Sequence, residues 1–150
     1  MDTTDRRLKT TPDEEEDWIW NVTDDTHCVL CAARDYEDRF HLFFGCTFSQ
    51  RVWSYLQIDW SLDDDMYSAI TAARRSFAKP FFMEVVITAC WHIWKTRNGK
   101  IFQNERPLFA RWKNQFIHDM TLLSHRIKRK HWASLLLWVS NLPQFIILYR

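Results

Sequence analysis

Three cysteines and a histidine fall within nineteen residues, as Cys28-x2-Cys31-x9-His41-x4-Cys46. A zinc ion takes four nitrogen or sulfur donors in a tetrahedron, and a Cys-x2-Cys step lets one tight turn present two thiolates. The second pair must come from a separate piece of backbone. His41 and Cys46 are five positions apart, so on an uninterrupted α-helix they would point about 140° apart. A continuous α-helix therefore fails to bring both to one ion. Gly45 tolerates an unusual dihedral, which predicts a helical turn ending near Phe44 or Gly45 and a bend that returns Cys46 to the metal. All four positions would be filled by protein, leaving none for water or substrate, so the expected role of zinc is structural. Buried thiols beside a surface histidine are the alternative reading. The spacing, bracketed by Leu42, Phe43, Phe44 and Phe48, favours metal. His27, adjacent to Cys28, stays open as a competing ligand.

Composition sets the fold class around this site. Nine Trp and eleven Phe against two Gly and four Pro in 150 residues favour helices over a many-stranded sheet. The expected architecture is mainly α, a small Cys-Cys-His-Cys module followed by a helical hairpin or bundle. Twenty basic and nineteen acidic residues nearly cancel, so any attraction to nucleic acid must be local. Met1 to Pro12 lacks the apolar core of a secretory signal, which suggests an intracellular chain, nucleus or cytoplasm unresolved. Four cysteines in a reducing compartment are better read as thiols or ligands than as two disulfides.

The organisation follows from periodicity. Residues 1–25 are expected to be a polar, mobile tail, although Thr11 and Pro12 have the chemistry of a helix start leading towards Trp18-Ile19-Trp20. Residues 26–60 form the zinc module, whose helix from Thr47 to about Ile58 carries Phe48, Val52, Trp53 and Leu56 on one face. The rest, 61–150, is helical. Asp63-Asp64-Asp65 is read as a loop and cap before a helix over Met66 to Phe77. After Lys79-Pro80, a long helix near 80–103 is marked by Phe82, Val86, Cys90, Ile93 or Trp94, Arg97 and Ile101, with Gly99 as a place where it frays or ends early. Phe109, Trp112, Phe116, Met120, Leu123 and Ile127 mark another over 107–130, joined to the first near Asn104 to Arg106 as a hairpin. A last apolar segment runs from Trp132 to Val139 and ends at Asn141 and Pro143.

Other chemistry is sparse. Cys90 stands alone on its helix and is read as a core thiol. His92, His118, His125 and His131 have no metalloprotease-like pairing, no Ser-His-Asp set or phosphate loop is visible, and the three aspartates suit a solvated cap better than a catalytic cluster. No catalytic residue and no small-molecule substrate are expected. Arg126, Lys128, Arg129 and Lys130 are the candidate nucleic-acid-binding residues, able to neutralise a few phosphates; alternatively they form a solvated last helical turn offsetting its dipole. The stretch from Trp132 to Tyr149 is interrupted by Ser140, Asn141, Pro143 and Gln144, which argues for a buried helix and docked tail rather than a membrane span.

The residues Cys28-Val-Leu-Cys31, Glu37 four before His41, His41-Leu42-Phe43-Phe44, Cys46-Thr-Phe48 and Val52-Trp53 resemble the zinc-binding domain of the reverse transcriptase in plant non-LTR (LINE-type) retrotransposons. Trp91-His92-Ile93-Trp94-Lys95-Thr96-Arg97-Asn98 with Ile101-Phe102 resembles the segment that often follows it. The resemblance covers about 26–130 and finds no counterpart for the family's preceding part in residues 1–27. It implies a zinc-binding, nucleic-acid-associated accessory module with RNA or DNA, or other retrotransposon proteins, as partners. The alternative is a helical protein-interaction relic with a zinc staple. Polymerase chemistry is not implied, because a palm domain with metal-binding aspartates does not fit in this length.

Overall fold

The computed structural model describes residues 26–63 and 65–143. The expected tail over 1–25 with its Thr11 cap, Asp64, and the tail beyond Pro143 lie outside the described residues. The architecture is mainly α, as the composition led us to expect. A π-helical turn, His41–Gly45, is followed by α1 (Thr47–Leu56), α2 (Met66–Phe77), α3 (Phe82–Gln103), α4 (Phe109–Leu123) and α5 (Arg129–Ser140). Among the described residues β pairing amounts to one antiparallel bridge, between His27 and Tyr36.

The hairpin of α3 and α4 is the frame on which the rest packs. On α4 the expected stripe is buried: Phe109, Trp112, Phe116 and Met120. On α3 the buried residues are Phe82, Val85, Ala89, His92, Ile93 and Arg97, so the stripe is displaced by one residue from the expected Val86 and Cys90. The reason is size: Ala89 lets the Trp112 indole close on the helix, where its Nε1 donates to the Ala89 carbonyl at 3.4 Å. Cys90 is displaced to the flank, half-buried, and burial pushes its thiol up to about 12, which keeps it protonated and unreactive. His92 Nε2 meets Asp119 Oδ2 at 2.7 Å, tying the two helices together on one side.

Helix ends follow local chemistry. Asp65 caps α2, its carboxylate accepting from the Ser68 N–H at 3.0 Å and the Ser68 hydroxyl at 2.6 Å. Gly99 neither frays nor ends α3, which runs to Gln103. It stops at Asn104, in the left-handed region at φ 51, where the Glu105 N–H reaches back to the Gly99 carbonyl at 3.0 Å, a closure that asparagine tolerates well.

The expected helix over 107–130 ends at Leu123, and a turn separates it from α5, which begins at Arg129. α4 ends at Leu123; the buried Ser124 turns its hydroxyl onto the Thr121 carbonyl at 2.6 Å, and both Arg126 and Ile127 donate to the Leu123 carbonyl. A hydroxyl competing for backbone acceptors in the last turn draws the chain out of the helix. Ile127 still packs on the core from the connecting turn, so the apolar periodicity continued where the helix did not.

The cap on α2 is testable. The Ser68 hydroxyl and N–H hold the Asp65 carboxyl below its ordinary value. A carboxylate with a lowered folded pKa adds stability above its unfolded pKa, and that stability is lost as pH falls through the folded value, here on the acid side of about 4. Asp65→Ala is expected to lower the melting temperature at pH 7, to quicken amide exchange at Ser68, and to narrow its gap from wild type in acid. A gap that widens in acid would contradict the capping role.

Candidate metal centre

The first two ligands come from a short turn held shut by backbone. The Cys28 N–H donates to the Asp35 carbonyl and the Glu37 N–H to the Thr26 carbonyl, both at 2.8 Å. Between them the chain reverses, with Arg34 in the left-handed region at φ 53. This presents the Cys28 and Cys31 side chains from one side of the turn.

The second pair comes from the π-helical turn. Asp38 starts it, its carboxylate accepting from the His41 N–H at 2.6 Å. The Cys46 N–H then donates to the His41 carbonyl at 2.6 Å, an i to i+5 bond whose wider turn places residues five apart over one another. That is how His41 and Cys46 face the same point. The Leu42 and Phe43 carbonyls are taken by α1, the first by the Ser49 hydroxyl and the second by the Trp53 indole at 2.7 Å.

Gly45 therefore has another role than expected, for no glycine among the described residues has a positive φ. A β-carbon at Gly45 would meet His41 Nδ1 at 3.5 Å, an ordinary contact. Gly45→Ala is expected to leave the metal content unchanged and to alter stability by less than about 1 kcal/mol, read by metal analysis and melting temperature. Loss of metal in that variant would restore the glycine bend.

The ligand atoms of Cys28, Cys31, His41 and Cys46 all lie within 4.8 Å of one another. Cys28 Sγ and Cys46 Sγ are 3.7 Å apart, and Cys31 Sγ and His41 Nε2 are 3.5 Å apart. Zinc–sulfur bonds near 2.3 Å and zinc–nitrogen bonds near 2.0–2.1 Å give tetrahedral edges of about 3.8 Å between sulfurs and about 3.5 Å between sulfur and nitrogen. The donor set and these two edges fit zinc. All three sulfurs are buried, Cys46 completely. His27, the possible competitor, is exposed, bridges to Tyr36 and is not one of the four.

Electrostatics favours a cation in the middle of these four. The hydrogen bond to Cys46, then burial, hold the Cys28 thiol well above its ordinary range. The same bond, helped by the backbone N–H groups of Phe48 and Ser49, holds Cys46 below it, against the effect of burial. Cys46 is the N-cap of α1, and the positive end of a helix stabilises a thiolate. One proton is thus held between two crowded sulfurs, and a bound cation would displace it.

Residues 4–53 match the family model for zinc-binding in reverse transcriptase. No curated protein and no solved structure matches the chain significantly. The match supports a reverse transcriptase zinc-binding domain around the four-residue cluster. It begins at residue 4, so the family's pattern extends upstream of Cys28, where the sequence reading found no counterpart. It ends at Trp53, so the resemblance over Trp91 to Phe102 and beyond lies outside it. The zinc-binding family is an accessory rather than a catalytic one.

The segment that carries the four donors is fastened to the long helix by an ion pair that sequence reasoning missed. Arg97 Nε and Nη2 both approach Glu37 Oε1 at 2.6 Å, and both side chains are only 7% exposed. Glu37 sits between the bridge at Tyr36 and Asp38 at the start of the π turn, so the pair positions both halves of the site. A signal was present: Arg97 falls on the apolar stripe of α3, where a cation requires a buried partner. An aromatic cluster supports the other side. Phe44 stacks on Trp53 at 6.1 Å, and Trp60 meets both edge-on at 5.1 and 5.3 Å.

The basic candidates Arg126, Lys128, Arg129 and Lys130 are exposed and lie far along the chain from this centre. They do not form a last helical turn. Arg126 lies in the connecting turn, Lys128 is the N-cap of α5, and Arg129 and Lys130 open it. Cations at the positive end of a helix are not offset by its dipole. No helix among the described residues is long and apolar enough to cross a membrane.

Proposed function

We propose that the chain binds one zinc ion through Cys28, Cys31, His41 and Cys46, and that zinc is a structural staple in a nucleic-acid-associated accessory domain. The observation that carries this reading is the cluster of four donor atoms, all within 4.8 Å of one another, inside the segment matched by the reverse transcriptase zinc-binding family. Zinc supplies folding free energy there, because unfolded chain offers no preformed site. The domain derives from a plant non-LTR, LINE-type retrotransposon, as the motif order from Cys28 to Trp53 suggests. It performs no catalysis of its own, for four protein ligands leave no open coordination position. Four free thiols suit a reducing, intracellular compartment.

RNA or DNA is the proposed partner. Arg126, Lys128, Arg129 and Lys130 add positive charge to the start of α5, which attracts phosphate. A second reading, association with other retrotransposon proteins through apolar surface, is favoured by one observation: Leu122, Trp132, Leu136 and Leu137 are exposed on α4 and α5. Zinc-loaded protein titrated with RNA and DNA at several salt concentrations separates the two. Binding that weakens steeply with salt supports nucleic acid. Salt-independent self-association or partner capture without nucleic-acid binding supports the second reading.

A further inference from the structure

At the connected end of the hairpin, where α3 stops and α4 begins, lies a cleft of ≈ 360 Å³. Its walls combine two kinds of group. Trp94 and Phe102 contribute aromatic faces, and Lys95, Arg106 and Arg111 contribute cations, with Glu105 the one acid among the lining residues. Trp91, Trp94, Lys95, Asn98 and Phe102 recur every three or four residues and so share one side of α3. Trp91, half exposed, stacks on Trp94 with ring centroids 5.3 Å apart, and Phe102 is 59% exposed. Three aromatic rings and Lys95 therefore share one side of α3, and Arg106 and Arg111 join them on the cleft wall from the connection and from α4.

The charges are available. Lys95 and Arg106 are exposed and have no acidic partner among the described residues. Arg111 meets Glu105 at 3.1 Å, but both side chains are about half exposed, at 47% and 49%. A pair so exposed is weak and readily exchanged for a stronger acceptor. A phosphate accepts two parallel bonds from a guanidinium, which a strand of phosphates offers repeatedly.

We infer that this cleft, extended by the Trp91 ring that stacks on Trp94 beside it, is a binding site for single-stranded nucleic acid, with bases stacking on the Trp91, Trp94 and Phe102 faces and phosphates meeting Lys95, Arg106 and Arg111. It rests on the nucleic-acid reading above and places the contact on a surface distinct from the start of α5. Single strands fit because exposed rings need unpaired base faces, while the cations beside them meet a flexible backbone. A duplex hides its base faces and offers phosphates alone.

The test uses the zinc-loaded full chain, a fluorescein-labelled uridine 12-mer, and a 12-base-pair duplex, by anisotropy at several salt concentrations. Wild type is expected to prefer the single strand and to show tryptophan quenching on binding. Phe102→Ala and Trp91→Ala should weaken single-strand binding about tenfold or more. Arg106→Gln should lower the salt slope by about 0.7 for the lost phosphate contact, and Glu105→Gln should tighten binding. Arg75→Gln with Lys79→Gln, exposed on α2 and just after it, serves as the contrast pair and is expected to leave single-strand affinity within twofold. Binding lost in the contrast pair and kept in the cleft variants overturns the cleft while the nucleic-acid reading stands. Equal affinity for the duplex overturns the stacking. No binding of either probe by wild type overturns both readings. Circular dichroism and zinc content of each variant exclude loss by unfolding, and a Phe102→Trp variant that retains affinity separates stacking from packing.

Discussion

Cys46→Ser is expected to release the metal and to unfold the chain from Thr26 to the start of α1 as one unit. Cys46 is completely buried; it closes the π-helical turn through its N–H, caps α1, and carries one of the three sulfurs. A serine hydroxyl is a poor replacement for a zinc-binding thiolate, and in small zinc modules the apparent binding free energy, about 10–16 kcal/mol, is also folding free energy. That exceeds what a segment with so few buried side chains supplies by itself. Amide exchange should show lost protection over the Cys28 turn and the π turn. Protection should persist in α3 and α4, whose own core of Val85, Ala89, Trp112 and Phe116 is fully buried. Full zinc content in this variant would remove Cys46 from the ligand set. Loss of zinc with protection unchanged would deny the metal its structural role.

The second large effect belongs to Arg97→Met. Methionine fills much of the aliphatic volume of arginine and leaves the Glu37 carboxylate buried without its cation. Removing one partner of a buried pair typically costs about 3–5 kcal/mol, whereas replacing both by apolar groups is often neutral. Arg97→Met is therefore expected to lower stability by about 3 kcal/mol or more, and Glu37→Leu combined with Arg97→Met should recover much of that loss. Chemical denaturation of the two variants and wild type measures both. Zinc affinity, read by competition with a chelator, should fall in the single variant, because Glu37 stands between the Cys28 turn and Asp38, which anchors His41. Equal losses in the single and double variants would show that the pair is no clamp.

How much of this is legible in the sequence depends on the range of the interaction. α2 and its Asp65 cap, the face of α1, and the stripe of α4 follow from periods and caps within one helix. The four donors follow from their spacing and residue types alone. What the spacing hides is the means of bringing His41 and Cys46 together: a glycine bend was the expectation, and a wider helical turn is the result. Its carbonyls are satisfied by Ser49 and Trp53, seven and ten residues on, so tertiary partners rather than local propensity decide it. The division at Leu123 is hidden for the same reason, since Ile127 continues the apolar period into a turn that packs on the core. The Glu37–Arg97 pair spans sixty residues, and no local period reports on it. The cleft at the hairpin end requires knowing that Phe102 and Arg111 end on the same side of a connection.

One metal ion, held by four protein ligands, keeps the segment from Cys28 to Cys46 folded on the hairpin. Native mass spectrometry of the full chain with and without chelator tests it most directly. The expected result is a mass increment of one zinc per chain, lost on chelation together with a shift to the higher charge states of a partly unfolded chain. A chain that carries no zinc, or that gives it up with no change in its charge-state distribution, would contradict it.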